Sequence, residues 1–171
     1  MENLNFYLMA DPHYFSKKLW VEGNAIEARS HTDQVILKES PEIIDAFFKI
    51  FENDNETDTI VLIGDLINVG EKLCHDEFTE KLRSLQEKGK RILVLTATHD
   101  YNGCGEDENT FVAVGYSENG TYQVPCVRRE ELDEIYRPFG RDKAESEYDM
   151  SYSLNSYIEN KKNIYKYQNK E

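Results

Sequence analysis

At 171 residues the chain suits one domain of ordinary size with a real core. Its 33 acidic against 20 basic residues leave a net charge of −13, which excludes a non-specific nucleic-acid binder, since that function needs a basic face to neutralise phosphates. A phosphorylated small molecule stays open as a substrate, because bound cations reverse a local field.

Residues 4–10 form a mostly apolar run stopped by Asp11-Pro12, where proline lacks a ladder donor and holds the preceding residue extended. This is the first expected strand. Residues 14–37 show no clear periodicity and read as a long loop holding Trp20, Gly23 and the Ser30-His31-Thr32-Asp33 cluster. Ser40-Pro41-Glu42 then supplies an N-cap, a first-turn proline and a first-turn acid, and Ile43, Ile44, Phe47, Phe48, Ile50 and Phe51 recur at helical spacing. A second strand is expected over residues 59–63, ending abruptly in Gly64-Asp65, with Gly70 closing the turn. Residues 71–89 read as a helix with Leu73, Phe78, Leu82 and Leu85 on one face, and Lys88-Gly89-Lys90 supplies its C-terminal glycine and basic charge. Residues 91–96 form the third strand and run into Ala97-Thr98-His99-Asp100.

The order β-α-β-α-β predicts an α/β fold with parallel strands joined by right-handed crossovers. Residues 101–127, rich in Gly, Asn and Glu, read as an insertion with short strands at 111–114 and 122–127. A short helix over 130–136 is stopped by Pro138 and Gly140, and another strand begins at 151–154. Residues 1–154 are expected to form the domain, with 155–171 as an unpatterned polar tail.

Cys74, Cys104 and Cys126 are odd in number and form no CxxC pair, so they read as free thiols in a reducing compartment. The N-terminus has no basic region followed by an apolar segment, and no apolar run approaches the roughly 18 residues of a membrane span. A cytoplasmic protein without membrane partners is expected.

Each of the three strands ends in a polar constellation: Asp11-Pro12-His13, Gly64-Asp65 and His99-Asp100. Parallel strands share a C-terminal edge, where open α/β sheets bind ligands. Carboxylates with neutral imidazoles suit Mn²⁺, Fe²⁺, Zn²⁺ or Mg²⁺, and one carboxylate bridging two ions would clamp a phosphate. Singly, each constellation has an ordinary reading. Asp11 is a turn former, Asp65 a cap or turn residue, and His99-Asp100 a solvated turn. Their coincidence at three successive strand ends is what points to chemistry. His75 reads as a surface histidine on the exposed side of its helix. His31 reads as a loop residue, with a substrate contact as its functional alternative. Tyr14, Phe15 and Trp20 read as loop packing, or as an apolar wall beside the site.

The three blocks, in this order, resemble the N-terminal half of the calcineurin-like metallophosphoesterase family. The Gly-Asp-Leu-x-x-x-Gly form of residues 64–70 and the long loop after the first block are similar to its bacterial cyclic-nucleotide-phosphodiesterase-like branch. The resemblance covers residues 4–100 and implies an α/β/β/α sandwich with two divalent ions. It implies that Asp11 and His13 bind the first ion and that Asp65 bridges both. It also implies that His99 contacts the phosphate as general acid and that Asp100 fixes its tautomer. The implied reaction is in-line attack by a metal-held hydroxide on a phosphomonoester or phosphodiester.

Two departures bear on this. Thr98 stands where the family has an asparagine ligand to the second ion, with Ala97 for the preceding glycine. The family's later histidine blocks are also missing, since His13, His31, His75 and His99 are the four histidines. The resemblance therefore implies a truncated half, with an uncovered sheet face prone to self-association. The alternative is a catalytically impaired remnant that binds metal or a partner protein. An all-helical His-Asp phosphohydrolase is opposed by the strand-forming run before His99, and a flavodoxin-like nucleotide binder by the lack of a Gly-rich loop after the first strand.

Overall fold

In the computed structural model, which describes residues 4–32, 35–105 and 111–143, three strands lie parallel in the order β1 (Tyr7–Ala10), β2 (Thr59–Ile63), β3 (Arg91–Leu95). Ala10 is in register with Ile63, and Ile63 with Leu95. The three chains therefore leave the sheet from a single row, as parallel pairing requires.

The crossover from β1 to β2 carries α1 (Asn24–Thr32) and α2 (Ser40–Asn53), and that from β2 to β3 carries α3 (Lys72–Glu87). Pro41 occupies the first turn of α2, where its missing N–H costs nothing. Ile44, Phe48 and Phe51 form the buried stripe of α2; Cys74, Phe78, Leu82 and Leu85 form that of α3. Both stripes join one core with Ile60, Leu62, Ile92 and Val94 of the sheet. Alternation then sends the neighbouring residues to the opposite face. There Leu8 is 56% exposed, Ile63 39% and Leu95 60%, with Val61 and Leu93 half-buried, so among the described residues this face is only partly covered.

Several sequence expectations change, beginning with the cap of α2, which falls on Glu39, while Ser40 lies inside the helix and its hydroxyl donates to the Leu37 carbonyl (3.0 Å). Residues 14–37 contain a 3₁₀ turn, Lys17–Leu19, and the helix α1. Only Ile26 of α1 is buried, so the helix has no apolar stripe for periodicity to reveal. The expected strands of the insertion shift to a hairpin of β4 (Val114–Tyr116) and β5 (Thr121–Gln123), tied to the segment after β1 by a Trp20–Tyr116 bridge. Finally, Cys104 and Cys126 are disulfide-bonded with Cα atoms 5.7 Å apart, and only Cys74 is a free thiol. The insertion folds back on itself, which wide spacing in sequence conceals, and the pairing removes the free-thiol argument for a reducing compartment. The short helix α4 (Leu132–Tyr136) forms as expected. The strand expected at 151–154 and the tail at 155–171 lie outside the described residues. Among the described residues no helix is long and apolar enough to cross a membrane.

Candidate metal centre

The edge where β1 and β2 end is built from strained backbone. Asp11, His13 and Asp65 have φ of 49°, 43° and 44°, and they are the positive-φ residues other than glycine among those described. Each such placement costs on the order of 1 kcal/mol. Hydrogen bonds running on past the strands hold them there. The His13 N–H donates to the Asp65 carbonyl (3.1 Å), the Tyr14 N–H to Leu66 (2.9 Å) and the Asn68 N–H to Tyr14 (3.3 Å). One ligand atom from each of Asp11, His13 and Asp65 lies within 4.8 Å of the others. Two carboxylate oxygens and an imidazole nitrogen so gathered fit a divalent cation.

β3 brings the fourth residue. The backbone N–H of His99 donates to Asp65 Oδ1 (3.0 Å), and its ring stands edge-on to His13, with centroids 4.9 Å apart at 88°. His99 Nδ1 lies 2.6 Å from the carbonyl oxygen of Asn68. A carbonyl only accepts, so Nδ1 carries the proton and Nε2 is the nitrogen left to act elsewhere.

Asp100 does not take the tautomer-fixing role expected of it; the Asn68 carbonyl does. The Asp100 carboxylate turns inward, where Oδ1 accepts from the N–H groups of Leu66 (2.7 Å) and Ile67 (3.1 Å), and Oδ2 accepts from Ala97 (2.7 Å). It stitches the turn after β2 to the turn after β3. Burial lifts its carboxyl to about 6, against the pull of those three donors.

Gly64 sits at φ 59°, and a Cβ added there would stand 2.7 Å from the Cβ of Ala97. Only glycine lets the two turns approach this closely. Ala97 itself is extended (φ −136°), so alanine is accommodated without strain. Thr98 opens the 3₁₀ turn Thr98–Asp100 and is exposed. Among the described residues, Asp11, His13 and Asp65 form the one group of three such His, Cys, Asp or Glu donors. His31 lies exposed in the last turn of α1, outside that group.

Beneath the site lies a buried polar layer that the sequence reading missed. Glu71 is fully buried; its carboxylate accepts from Asn68 Nδ2 (3.0 Å) and the Val69 N–H (2.8 Å), and burial raises its pKa. It fixes the turn whose carbonyl orients His99. His75, expected on the surface, is fully buried. Its Nε2 lies 2.8 Å from the Asp100 carbonyl and its Nδ1 2.7 Å from the Tyr136 hydroxyl. The carbonyl requires Nε2–H, so Tyr136 donates to Nδ1. Burial lowers the His75 pKa to about 4, leaving the ring neutral at pH 7. The available signal was spacing: residue 75 precedes Phe78, Leu82 and Leu85 by three, seven and ten, on the same helical face. No protein-family model and no curated protein matches the chain.

Proposed function

We propose that the chain is a divalent-metal-dependent phosphoesterase of the calcineurin-like kind, with β1 to β3 and their helices forming the first half of its sandwich. The observation that carries this reading is the strained Asp11–His13–Asp65 cluster with His99 beside it on one sheet edge. Asp11, His13 and Asp65 would hold a divalent ion, which would supply Lewis-acid polarisation of a phosphoryl oxygen and lower the pKa of water. Asp65 also anchors the His99 backbone, keeping the acid in step with the cluster. With Nδ1–H committed to Asn68, the protonated His99 ring presents Nε2–H to the phosphoryl group and gives that proton to the leaving oxygen as its bond to phosphorus breaks. The substrate is a phosphomonoester or phosphodiester.

The test is Mn²⁺ titration by calorimetry together with hydrolysis of a bis-aryl phosphate. Both are expected in the natural chain and both should be lost in Asp65→Ala. Absence of hydrolysis with Mn²⁺, Fe²⁺, Zn²⁺ and Mg²⁺ alike refutes the activity. The second reading is an impaired remnant that binds one ion or a partner protein. It is favoured by the one three-donor group of His, Cys, Asp or Glu found among the described residues, with Thr98 and its poorer hydroxyl at the position of the second ion's amide ligand. One ion bound without turnover supports it, and turnover restored by Thr98→Asn in a longer chain counts against it.

A further inference from the structure

The disulfide-closed insertion brings an aromatic ring to the candidate centre. Its first arm is tied back onto its own start and its second arm to the turn before α3. The Ala113 N–H donates to Gly103 (2.9 Å), the Val127 N–H to Gly70 (2.9 Å), and the Lys72 N–H to Pro125 (2.8 Å), while the disulfide joins Cys104 to Cys126. Val112 bridges to Cys104. The residue before it, Phe111, lies against His99, with ring centroids 5.7 Å apart and planes 32° from parallel. Phe111 is nevertheless 53% exposed, and Val112 45%. A phenyl ring beside a polar site, with half its surface in water, leaves a face on which an aromatic group can stack.

We propose that Phe111 determines specificity at this site, favouring phosphoesters whose leaving group carries an aromatic ring, either an aryl group or a nucleoside. This rests on the phosphoesterase reading. His99 has Nδ1 turned to Asn68, so the leaving oxygen approaches Nε2, and a group attached to that oxygen comes within reach of the phenyl ring that lies over the imidazole. In the reaction the water oxygen bonds to phosphorus and the bond to the leaving oxygen breaks with its electron pair. The proton from Nε2 neutralises that oxygen, and the proton shed by the water restores the imidazole. Stacking on Phe111 adds affinity for the departing group without altering this balance.

The experiment is calorimetry of the Mn²⁺-loaded chain with three non-hydrolysable probes: methylphosphonate, phenylphosphonate and the 5′-phosphonate of adenosine. Phenylphosphonate or the adenosine compound should bind about fivefold tighter than methylphosphonate, the scale of one aromatic pair. The ratio should fall to about one in Phe111→Ala and persist in Phe111→Tyr. The probe showing the preference tells an aryl ester from a nucleoside. A ratio of one in the natural chain, or a ratio unmoved by Phe111→Ala, overturns the role of Phe111 while leaving the phosphoesterase reading intact. Failure to bind any of the three, or binding that survives Asp65→Ala, overturns both.

Discussion

Replacing His75 by asparagine removes a titrating ring from the interior, and the pH dependence of stability then reports what burial does to that ring. In the folded chain its pKa is lowered to about 4, whereas in an unfolded chain histidine titrates near its ordinary value of about 6.5. Between those values the unfolded state binds the extra proton, so stability falls as pH falls, and the full gap amounts to about 3 kcal/mol. Asp100 works the other way. Its raised carboxyl, at about 6, takes up a proton in the folded state before the unfolded carboxylate does. The natural chain alone can therefore look flat across this range. Comparison with His75→Asn, which retains Asp100, isolates the histidine. At pH 7 the variant should be the less stable chain, with the Tyr136 hydroxyl and the Asp100 carbonyl poorly served. The difference should shrink by about 2 kcal/mol at pH 5 and by about 3 at pH 4. Urea unfolding of both chains at each pH measures it. A difference that stays constant within about 0.5 kcal/mol would mean that His75 titrates normally when folded, and the buried relay from Tyr136 to Asp100 would be wrong.

Gly64→Ala should cost at least about 2 kcal/mol, combining left-handed backbone with a clash against Ala97. Thermal unfolding should show Ala97→Gly recovering the steric part in the double variant but not the backbone part; full recovery would contradict the φ argument. Cys126→Ser should lower stability by about 3 kcal/mol under oxidising conditions, from the chain entropy of the loop that the bond closes. The loss should vanish when both chains are unfolded in excess dithiothreitol, and a loss of equal size in both conditions would mean that the bond does not form.

The legible parts of this chain were those governed by local rules. The aliphatic runs of β2 and β3 and the stripes of α2 and α3 announce themselves because burial on one side dictates their period. The candidate centre followed from topology: parallel strands in register share an edge, so Asp11, His13, Asp65 and His99 had to be neighbours. What stayed hidden depends on partners without a sequence signature. The orienting group of His99 is a backbone carbonyl, and any residue at position 68 supplies one. Asp100 looked like a dyad partner because it adjoins His99, but the 3₁₀ turn points its carboxylate at the N–H groups of Leu66 and Ile67. The disulfide joins cysteines 22 residues apart on either side of the β4–β5 hairpin, where their spacing in sequence does not set the geometry.

The left-handed backbone at Asp11, His13 and Asp65 has a consequence for how this sequence tolerates drift. Glycine at any of the three would relieve the local backbone strain while deleting a candidate cation ligand, and at position 65 it would also remove the acceptor of the His99 N–H. Random substitution filtered only for folding would therefore wear these positions away, together with the side chains they present. Backbone stability and the proposed cation site therefore pull these three positions in opposite directions.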